Sequence, residues 1–273
     1  MPKPFGGPWT LVKLAVLRNY LQAYGLALKS QRWFTLMYID AFAGDGQVEL
    51  PTGQKVPGSA AIALESNAFQ RYLFIEQNPE DAPRLDIMCD RYRQADPSKI
   101  IEVQQGDSNQ NLEVTLRDLD WKHTRAVAFL DPFGMELAWE TLGHIARTHA
   151  IDVWYWFPLS GLYRQAARNS DAIDEAKARS LDHLLGDGVW RDLYDTEQLR
   201  LWGPPLRLRA PGVDRVETFV VERLRSIFAG VAKSKRLPVG ESPRYVLFFA
   251  VSNPDPKAQG LAMRIAGHIL DHL

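Results

Sequence analysis

The sequence predicts an α/β protein built on a Rossmann-like, doubly wound and mostly parallel β-sheet. Short apolar, β-rich runs alternate with segments of helical periodicity along most of the 273 residues, which is the pattern of repeated strand–helix–strand units. The first of these runs, at 36–39, is followed at once by Asp40 and by a loop of small residues that holds Gly44 and Gly46. A carboxylate and a glycine loop at the carboxyl end of a strand are typical of nucleotide-like cofactor sites in open α/β sheets, although glycine turns also close ordinary strand–helix units.

Length and composition allow one large domain, which we predict over residues 1–273. Hydrophobic residues make up 46% of the chain, charged residues make up 24%, and the formal net charge is −1. These are ordinary values for a globular protein. Because the net charge is close to zero, binding to a nucleic acid would depend on a local basic surface.

The cysteine, histidine and hydropathy patterns exclude several classes of site. Cys89 is the sole cysteine, so an internal disulfide or a cysteine-based metal cluster within this chain is excluded. The six histidines show no metal-ligand spacing, and no metal is predicted. No apolar run approaches the roughly 20 residues that cross a bilayer, and residues 1–8 lack the apolar core of a signal peptide. We therefore expect a cytoplasmic protein that makes no contact with a membrane.

A helix is predicted on each side of the first strand. Thr10 is the expected N-cap of a helix that continues to Lys29, and Lys13 on this helix is interpreted as part of a solvated face. Residues 47–57 are too irregular for an element and are interpreted as a surface excursion, after which Ser59 caps the next helix. A helix N-terminus beside the glycine loop would offer N–H groups to an anion, but the excursion separates the two in sequence.

Acids follow the second and third strands. The second strand, at 71–76, ends in Glu76, and in dinucleotide-binding folds such an acid holds a ribose diol. The third strand, at 100–103, is followed by Gly106 and Asp107. Asp107 suits contact with an adenine amino group, while an aspartate at a turn is also often a local cap.

Two more strands precede a polar segment. The fourth, at 125–130, is stopped by Asp131 and Pro132, and the fifth, at 151–157, is dense in aromatic residues. Residues 165–211 are polar, helical and punctuated by glycine, which predicts a helical insert or lid after the fifth strand. One last strand is clear at 244–251, and no second strand that would complete a closing hairpin is recognisable beside it.

The chain resembles the class I S-adenosylmethionine (SAM)-dependent methyltransferases. The motifs of that class occur in the same order as four features of this sequence: the glycine loop after Asp40, Glu76, Gly106-Asp107 and the run that begins at Asp131. The whole chain also resembles the three-Cys-motif partner protein (TcmP) family of small bacterial proteins. The residues that carry this second resemblance are Trp9-Thr10 with Lys13, Tyr20-Leu21, Tyr38 to Gly44, Gly58-Ser59-Ala60, Phe74-Ile75-Glu76, Leu130 to Gly134, Phe157-Pro158 and Arg164. The resemblance implies SAM as cofactor, bound by Asp40, Phe42, Gly44, Gly46, Glu76 and Asp107. The family name implies a partner that carries three cysteines and is similar to radical-SAM enzymes.

The run Asp131-Pro132-Phe133-Gly134 also resembles the motif of RNA guanine-N2 dimethyltransferases. An exocyclic amine is a weak nucleophile because its lone pair is delocalised into the ring. A carboxylate and a backbone carbonyl beside Pro132 are suited to orient its protons toward attack, and the ring of Phe133 is suited to stack on the base. A base in a duplex would have to be flipped out. Phe133 equally fits a role in the core or in the turn.

On the substrate side, alternation along the fifth strand puts Trp154 and Trp156 on one face, and it leaves Phe157 at the strand end facing the pocket. Arg164 lies just beyond and is expected either to meet a phosphate or to be a surface residue. The basic stretch 233–236, with Arg207 and Arg209, is interpreted as solvated surface or as a contact to a phosphate backbone.

The sequence thus predicts an enzyme that methylates an exocyclic amino group of a nucleic-acid base. The alternative is a non-catalytic partner or adaptor of a three-cysteine radical-SAM-like protein. An NAD-type oxidoreductase is a weaker alternative, because the run from Gly44-Asp45-Gly46 has Glu49 where the Gly-x-Gly-x-x-Gly pattern needs its third glycine.

Overall fold

A central β-sheet organises the chain, and helices cover both of its faces. The structure is a computed structural model that describes residues 8–31, 33–194, 196–198, 206–209, 212–237 and 243–273. Its helices are α1 Pro8–Leu28, α2 Ser59–Ser66, α3 Asp81–Ala95, α4 Ser108–Asp118, α5 Trp139–Arg147, α6 Leu159–Gln165, α7 Glu175–Leu185, α8 Val213–Arg225 and α9 Pro256–Asp271. Its strands are β1 Thr35–Asp40, β2 Gln47–Glu49, β3 Lys55–Pro57, β4 Arg71–Glu76, β5 Ile100–Gln105, β6 Thr124–Leu130, β7 Ile151–Phe157, β8 Thr196–Gln198, β9 Leu206–Leu208, β10 Gly230–Val231, β11 Lys235–Leu237 and β12 Tyr245–Val251.

The strand order confirms the predicted fold class. The main sheet runs β10-β12-β7-β6-β1-β4-β5, and every pair from β7 to β5 is parallel. Strand β12 runs antiparallel to β7, and β10 and β11 both pair antiparallel with β12. The fold is therefore a doubly wound, mostly parallel sheet of the class I methyltransferase kind.

The sequence showed only one strand at the antiparallel end of this sheet, and the structure adds two. Strands β10 and β11 have two and three residues, which is too short for an alternating pattern to be recognised. Their pairing with β12 supplies the hairpin that the sequence left unaccounted for.

Alternation along β7 divides its aromatic residues between two cores, as predicted. Trp154 and Trp156 pack with α1, α2 and α9 on one face. Tyr155 and Phe157 pack with α5, α7 and α8 on the other face. Each face of the sheet is covered by one continuous core. Close packing on both faces fixes the positions of the strand ends.

Helix α1 begins at Pro8 rather than after a cap at Thr10, and proline is well suited to the first turn because it needs no backbone N–H partner there. The fully buried hydroxyl of Tyr20 on α1 donates a hydrogen bond to Asp152 on β7 at 2.8 Å. Burial raises the pKa of Asp152 to about 7, and the hydrogen bond from Tyr20 partly opposes this rise. The contact ties α1 to the sheet two turns beyond Lys13.

We expect Tyr20→Phe to lower the free energy of unfolding by about 1–3 kcal/mol at pH 8, because it leaves the Asp152 carboxylate without this donor. At pH 5 the Asp152 carboxyl is protonated and depends less on this hydrogen bond. The difference in the free energy of unfolding between Tyr20→Phe and the unaltered protein should therefore be smaller. Urea unfolding at both pH values measures this. Tyr24→Phe, one turn further along α1, is the matched control, and an equal loss in both variants would contradict the expectation.

The segment 47–57 lies at the surface, as the sequence predicts, but the prediction that it is too irregular to form an element is wrong. It forms the antiparallel hairpin β2–β3, with Val48 opposite Val56. The turn includes Pro51 and Gly53, whose φ of +80° suits glycine. The hairpin is short and its side chains are largely exposed, so alternation of apolar residues did not indicate it.

The predicted insert packs on the body of the protein where it is described. Helix α7 and the 3-10 turns Ser170–Ala172 and Val189–Leu193 lie within 165–211, as do β8 and β9. Leu181, Leu184 and Leu185 join the core beside α5 and α6. The Nε2 atom of His183 lies 2.9 Å from the carbonyl oxygen of Glu136, to which it donates. The single domain over 1–273 and the role of a lid stay predictions, and residues 195, 199–205, 210 and 211 lie outside the described residues.

A helix able to cross a membrane is not found among the described residues, since none is both long enough and apolar enough. Residues 1–7, on which the signal-peptide prediction falls, lie outside the described part of the chain.

Candidate active site at the carboxyl edge of the sheet

The glycine loop follows β1 and opens toward free space at one residue. Gly44 and Gly46 have φ values of +63° and +85°, which glycine adopts without strain. A Cβ added at Gly44 would meet no atom of the described structure within 4 Å, whereas one at Gly46 would lie 2.6 Å from Met88 Sδ. Gly46 is therefore needed for packing, and Gly44 presents its backbone to a space that a ligand can enter.

Helix α2 begins beside this loop, although residues 47–58 separate the two in sequence. The hairpin returns the chain so that the Gly58 N–H donates to the Gly46 carbonyl at 2.9 Å. A Cβ at Gly58 would lie 3.1 Å from that carbonyl. The sequence predicts Ser59 as the N-cap of α2, and this prediction is wrong. The N-cap is Gly58, which makes no side-chain capping bond.

Asp40 supports the loop from below. Its side chain is 0% exposed and accepts hydrogen bonds from the Tyr38 hydroxyl and the Phe42 N–H, both at 3.3 Å, and from Ser59. Burial raises the pKa of Asp40 to about 7, although its hydrogen bonds oppose the rise. Because no part of Asp40 is exposed, it can act on a bound ligand only through the loop that it holds in place.

Glu76 joins the glycine loop to the end of β4. Its Oε2 accepts the Gly44 N–H at 2.7 Å, and its Oε1 accepts the Asn78 N–H at 2.7 Å. A carboxylate has about four acceptor positions, so roughly two remain on this half-buried side chain. Two free acceptor positions beside an open loop suit the two hydroxyls of a ribose.

The sequence leaves two roles open for Asp107, a contact with adenine and a local cap. In the structure Asp107 is the N-cap of α4. Its Oδ1 accepts the Gln110 N–H at 3.0 Å. Burial raises the pKa of Glu136, and the negative charges of Asp107 and Glu76 raise it further. The capping bond uses one carboxylate oxygen, and the contact of Asp107 with adenine stays a prediction.

Asp131, at the end of β6, forms an ion pair with Lys13 of α1. The Lys13 ammonium also lies over the ring of Trp156, 5.9 Å from its centroid. Both charged side chains are largely covered, with 16% of Lys13 and 21% of Asp131 exposed. The interpretation of Lys13 as part of a solvated face is therefore wrong, whereas Arg18 on the same helix is substantially exposed beside Glu65.

The residues after Asp131 differ in exposure. Pro132 is buried, and Phe133 is 68% exposed. Gly134 has a φ of +66°, which turns the chain away from the strand. Phe133 thus lies outside the core, and its stacking on an acceptor stays a prediction.

The two residues predicted for the substrate are placed differently. Phe157 is 1% exposed and packs against Tyr155 and Phe248, with ring centroids 5.7 and 5.8 Å apart. It therefore lies in the core and not on an open pocket wall. Arg164 is exposed near the end of α6, where both of the alternatives given for it stay open.

The basic stretch at 233–236 is largely compensated within the protein. Arg236 pairs with Asp214 and Glu217, and the Lys235 ammonium donates to the Leu273 carbonyl at 3.0 Å. Arg209 is buried over the ring of Tyr163. These side chains mainly stabilise the fold, so they provide little free positive charge for a phosphate backbone.

A groove at the opposite, amino-terminal edge of the sheet lies between the end of α1 and the end of α2. Its lining includes Gln22, Lys29, Asn67 and Gln70 and contains no carboxylate. The acids and the glycine loop are at the other edge, which we therefore take as the candidate active site.

Sequence reasoning missed Lys13, Tyr38 and Ser59 as members of the site. For Lys13 a signal existed, because it precedes the buried Leu17 and Tyr20 by four and seven residues and so lies on the buried side of α1. The contacts of Ser59 depend on how the β2–β3 hairpin folds, which no local pattern indicates.

Comparison with known proteins gives distant structural similarity only. No family model and no curated protein sequence matches the chain. A DUF519 protein of Legionella pneumophila str. Philadelphia 1 is 15% identical, with a TM-score of 0.47, over 94% of this chain and 92% of that one. The methyltransferase domain of bacterial CtHen1-C is 13% identical, with a TM-score of 0.37, over 86% and 98%. A spermidine synthase in complex with the transition-state analogue AdoDATO is 9% identical, with a TM-score of 0.39, over 92% and 62%. Since these three scores lie below 0.5, the fold assignment rests on the strand order.

Proposed function

We propose that the protein is a SAM-dependent methyltransferase that acts on an exocyclic amino group of a nucleic-acid base. The observation that carries this proposal is the hydrogen bond from the Gly44 N–H to the Glu76 carboxylate at 2.7 Å. It joins the glycine loop and the acid predicted for the ribose at one edge of the sheet. Asp131 ends the strand on the other side of β1, at the same edge.

A second, independent observation supports SAM as the ligand of this edge of the sheet. The side-chain nitrogen of Asn111 is buried and has no hydrogen-bond partner in the described part of the chain. It lies near Gly106, where an added Cβ would be 3.1 Å away from it. An unpaired buried donor costs about 1–3 kcal/mol, which an acceptor atom of a bound adenosyl group would offset.

In this proposal Glu76 holds the ribose, the open backbone of Gly44 faces the methionine part, and Asp107 with Asn111 borders the adenine, while Gly46 lets the loop pack against Met88. Asp40 and Phe42 keep the loop in shape. When bound, SAM supplies an electrophilic methyl group. The task of the protein is then to orient a weakly nucleophilic nitrogen, for which Asp131 offers a carboxylate oxygen and the exposed Phe133 offers a stacking surface.

The resemblance to the TcmP family supports a finer version of this proposal. The chain would then work beside a three-cysteine, radical-SAM-like partner, and we expect both proteins to be cytoplasmic. The adaptor alternative has the same fold without methyl transfer. Transfer of a labelled methyl group to RNA or DNA by the purified chain would therefore separate the two functions.

We expect S-adenosylhomocysteine to bind the protein and Glu76→Gln to weaken this binding about tenfold, since it removes a charged acceptor for hydroxyl groups. Isothermal titration calorimetry measures both affinities. Glu102→Gln, on the neighbouring strand β5 and partly exposed beside Arg71, is the matched control and should bind as the unaltered protein does.

Two results would count against the proposal. An absence of heat with high-micromolar protein would remove SAM from the proposed function altogether. An equal affinity in Glu76→Gln and in the unaltered protein would remove Glu76 from the ribose site while leaving the cofactor in place.

A further inference from the structure

Lys13 and Asp131 present a hydrogen-bond donor and an acceptor side by side at the acceptor end of the site. The ammonium of Lys13 has three N–H groups, one of which goes to Asp131 Oδ2. Asp131 Oδ1 makes no hydrogen bond within the described structure. Both side chains remain partly exposed, so an incoming ligand can reach the unused N–H groups and the unused oxygen.

The surroundings hold this pair in position. Lys13 projects from α1 and Asp131 from the end of β6, and both elements pack rigidly into the core around Leu17 and Val127. The nearly inaccessible ring of Trp156 lies under the ammonium and forms an apolar floor. Because the floor limits water, hydrogen bonds made here are stronger than those on an open surface.

Nucleic-acid bases differ in what lies beside their amino group on the Watson–Crick edge. Adenine and cytosine place an unprotonated ring nitrogen, which is an acceptor, next to the amino group. Guanine places a ring N–H there, which is a second donor. A flipped base is read through this edge. A site with one acceptor and one cationic donor matches the first pattern and repels the second.

We propose that Lys13 determines the specificity of the acceptor site, and that the site takes the amino-plus-ring-nitrogen edge of adenine or cytosine and rejects guanine. This inference rests on the proposed function. Asp131 Oδ1 accepts from the amino group, and a free N–H of Lys13 donates to the adjacent ring nitrogen. The ion pair aligns the two groups with each other before the base arrives, which reduces the cost of ordering them.

A purely structural role for the pair makes a different prediction. A largely covered ion pair contributes little net stability compared with apolar packing, so it is weak evidence for a role in folding alone. If Lys13 only helped α1 to pack on the sheet, its loss would weaken the binding of all bases equally. Discrimination between bases that differ in one ring nitrogen is the property that separates the two roles.

The test measures binding of single-stranded oligonucleotides to the protein saturated with S-adenosylhomocysteine. Fluorescein-labelled heptauridylates carry one central nucleoside: adenosine, 1-deazaadenosine, purine riboside, cytidine, 3-deazacytidine or guanosine. Fluorescence anisotropy gives each affinity. The variant is Lys13→Met. The matched control is Arg18→Met, which removes an exposed charge from the same helix.

We expect adenosine or cytidine to bind about tenfold more tightly than its deaza analogue and than guanosine, since each loses one hydrogen bond to a charged group. In Lys13→Met the preference over the deaza analogue should fall to about onefold, while the preference of adenosine over purine riboside, which lacks the amino group, persists. Arg18→Met should retain both preferences.

Equal binding of a base and its deaza analogue by the unaltered protein would overturn the inference, even where Lys13→Met does not fold. A preference that survives in a folded Lys13→Met would overturn it as well, and so would tighter binding of guanosine. Failure of S-adenosylhomocysteine to bind in the calorimetric titration would instead mark failure of the proposed function on which the inference rests.

Discussion

Replacing Asp131 by alanine is expected to lower the rate of methyl transfer about 100-fold or more while the affinity for S-adenosylhomocysteine stays within about twofold. The carboxylate is proposed to orient the amino group of the acceptor, and orientation of a weak nucleophile supplies much of the rate gain. In the proposed function the cofactor binds around Gly44 and Glu76, which are joined to each other by a hydrogen bond, so its binding should not depend on Asp131. Initial rates with a labelled methyl donor and calorimetry measure the two effects.

Asp131→Asn is the matched variant, since it retains an oxygen that accepts a hydrogen bond and lacks the charge. We expect a loss about tenfold smaller than in Asp131→Ala. Both variants leave Lys13 without its anionic partner, so unfolding curves must first show that they are folded. Full activity in Asp131→Ala would place the acceptor elsewhere on the sheet edge and would end the role assigned to this strand end.

The second large effect concerns the pH dependence of stability. The pKa of Asp40 is raised to about 7, chiefly by burial, while an unfolded aspartate has a pKa of 3.8. Between these values the native state holds a proton that the unfolded state has released. The free energy of unfolding therefore falls as pH rises through this window and stops falling above pH 7.

Asp40→Asn should remove this dependence. Between pH 5 and pH 8 the free energy of unfolding should fall by about 3 kcal/mol more in the unaltered protein than in Asp40→Asn. The part of the window above pH 5 ends near pH 7 and so spans about two pH units, each of which contributes roughly 1.36 kcal/mol. Urea unfolding followed by circular dichroism at pH 5, 6.5 and 8 measures this difference. Asp90→Asn, which is exposed on α3, is the control and should lose stability in parallel with the unaltered protein.

The remaining slope in Asp40→Asn has its own expected source. Burial also raises the pKa of Asp152 to about 7, so this carboxyl contributes in the same direction. Equal pH dependence in Asp40→Asn and the unaltered protein would mean that Asp40 is ionised at pH 5 in the native state, and that Tyr38, Phe42 and Ser59 compensate its burial more completely than inferred.

Much of the site could be predicted because its parts follow strands directly. Asp40, Glu76 and Asp131 each end or follow a buried apolar run, and the carboxyl ends of parallel strands meet at one edge. Phe157 shows the limit of this reasoning. It also ends a strand, but its side chain points to the face that α6 and α8 cover, so it is buried.

The sequence by itself determined the alternation of the five parallel strands with helices, the glycine loop and the strand-end acids, because each depends on a local pattern of burial or on the conformational freedom of glycine. Only the tertiary structure decided the contacts between distant segments. It brought Lys13 to Asp131 across 118 positions, Ser59 to Asp40 through an unforeseen hairpin, and β10 and β11 to β12. Such contacts depend on how whole elements pack, and packing is a property of the assembled core that no short window of sequence contains.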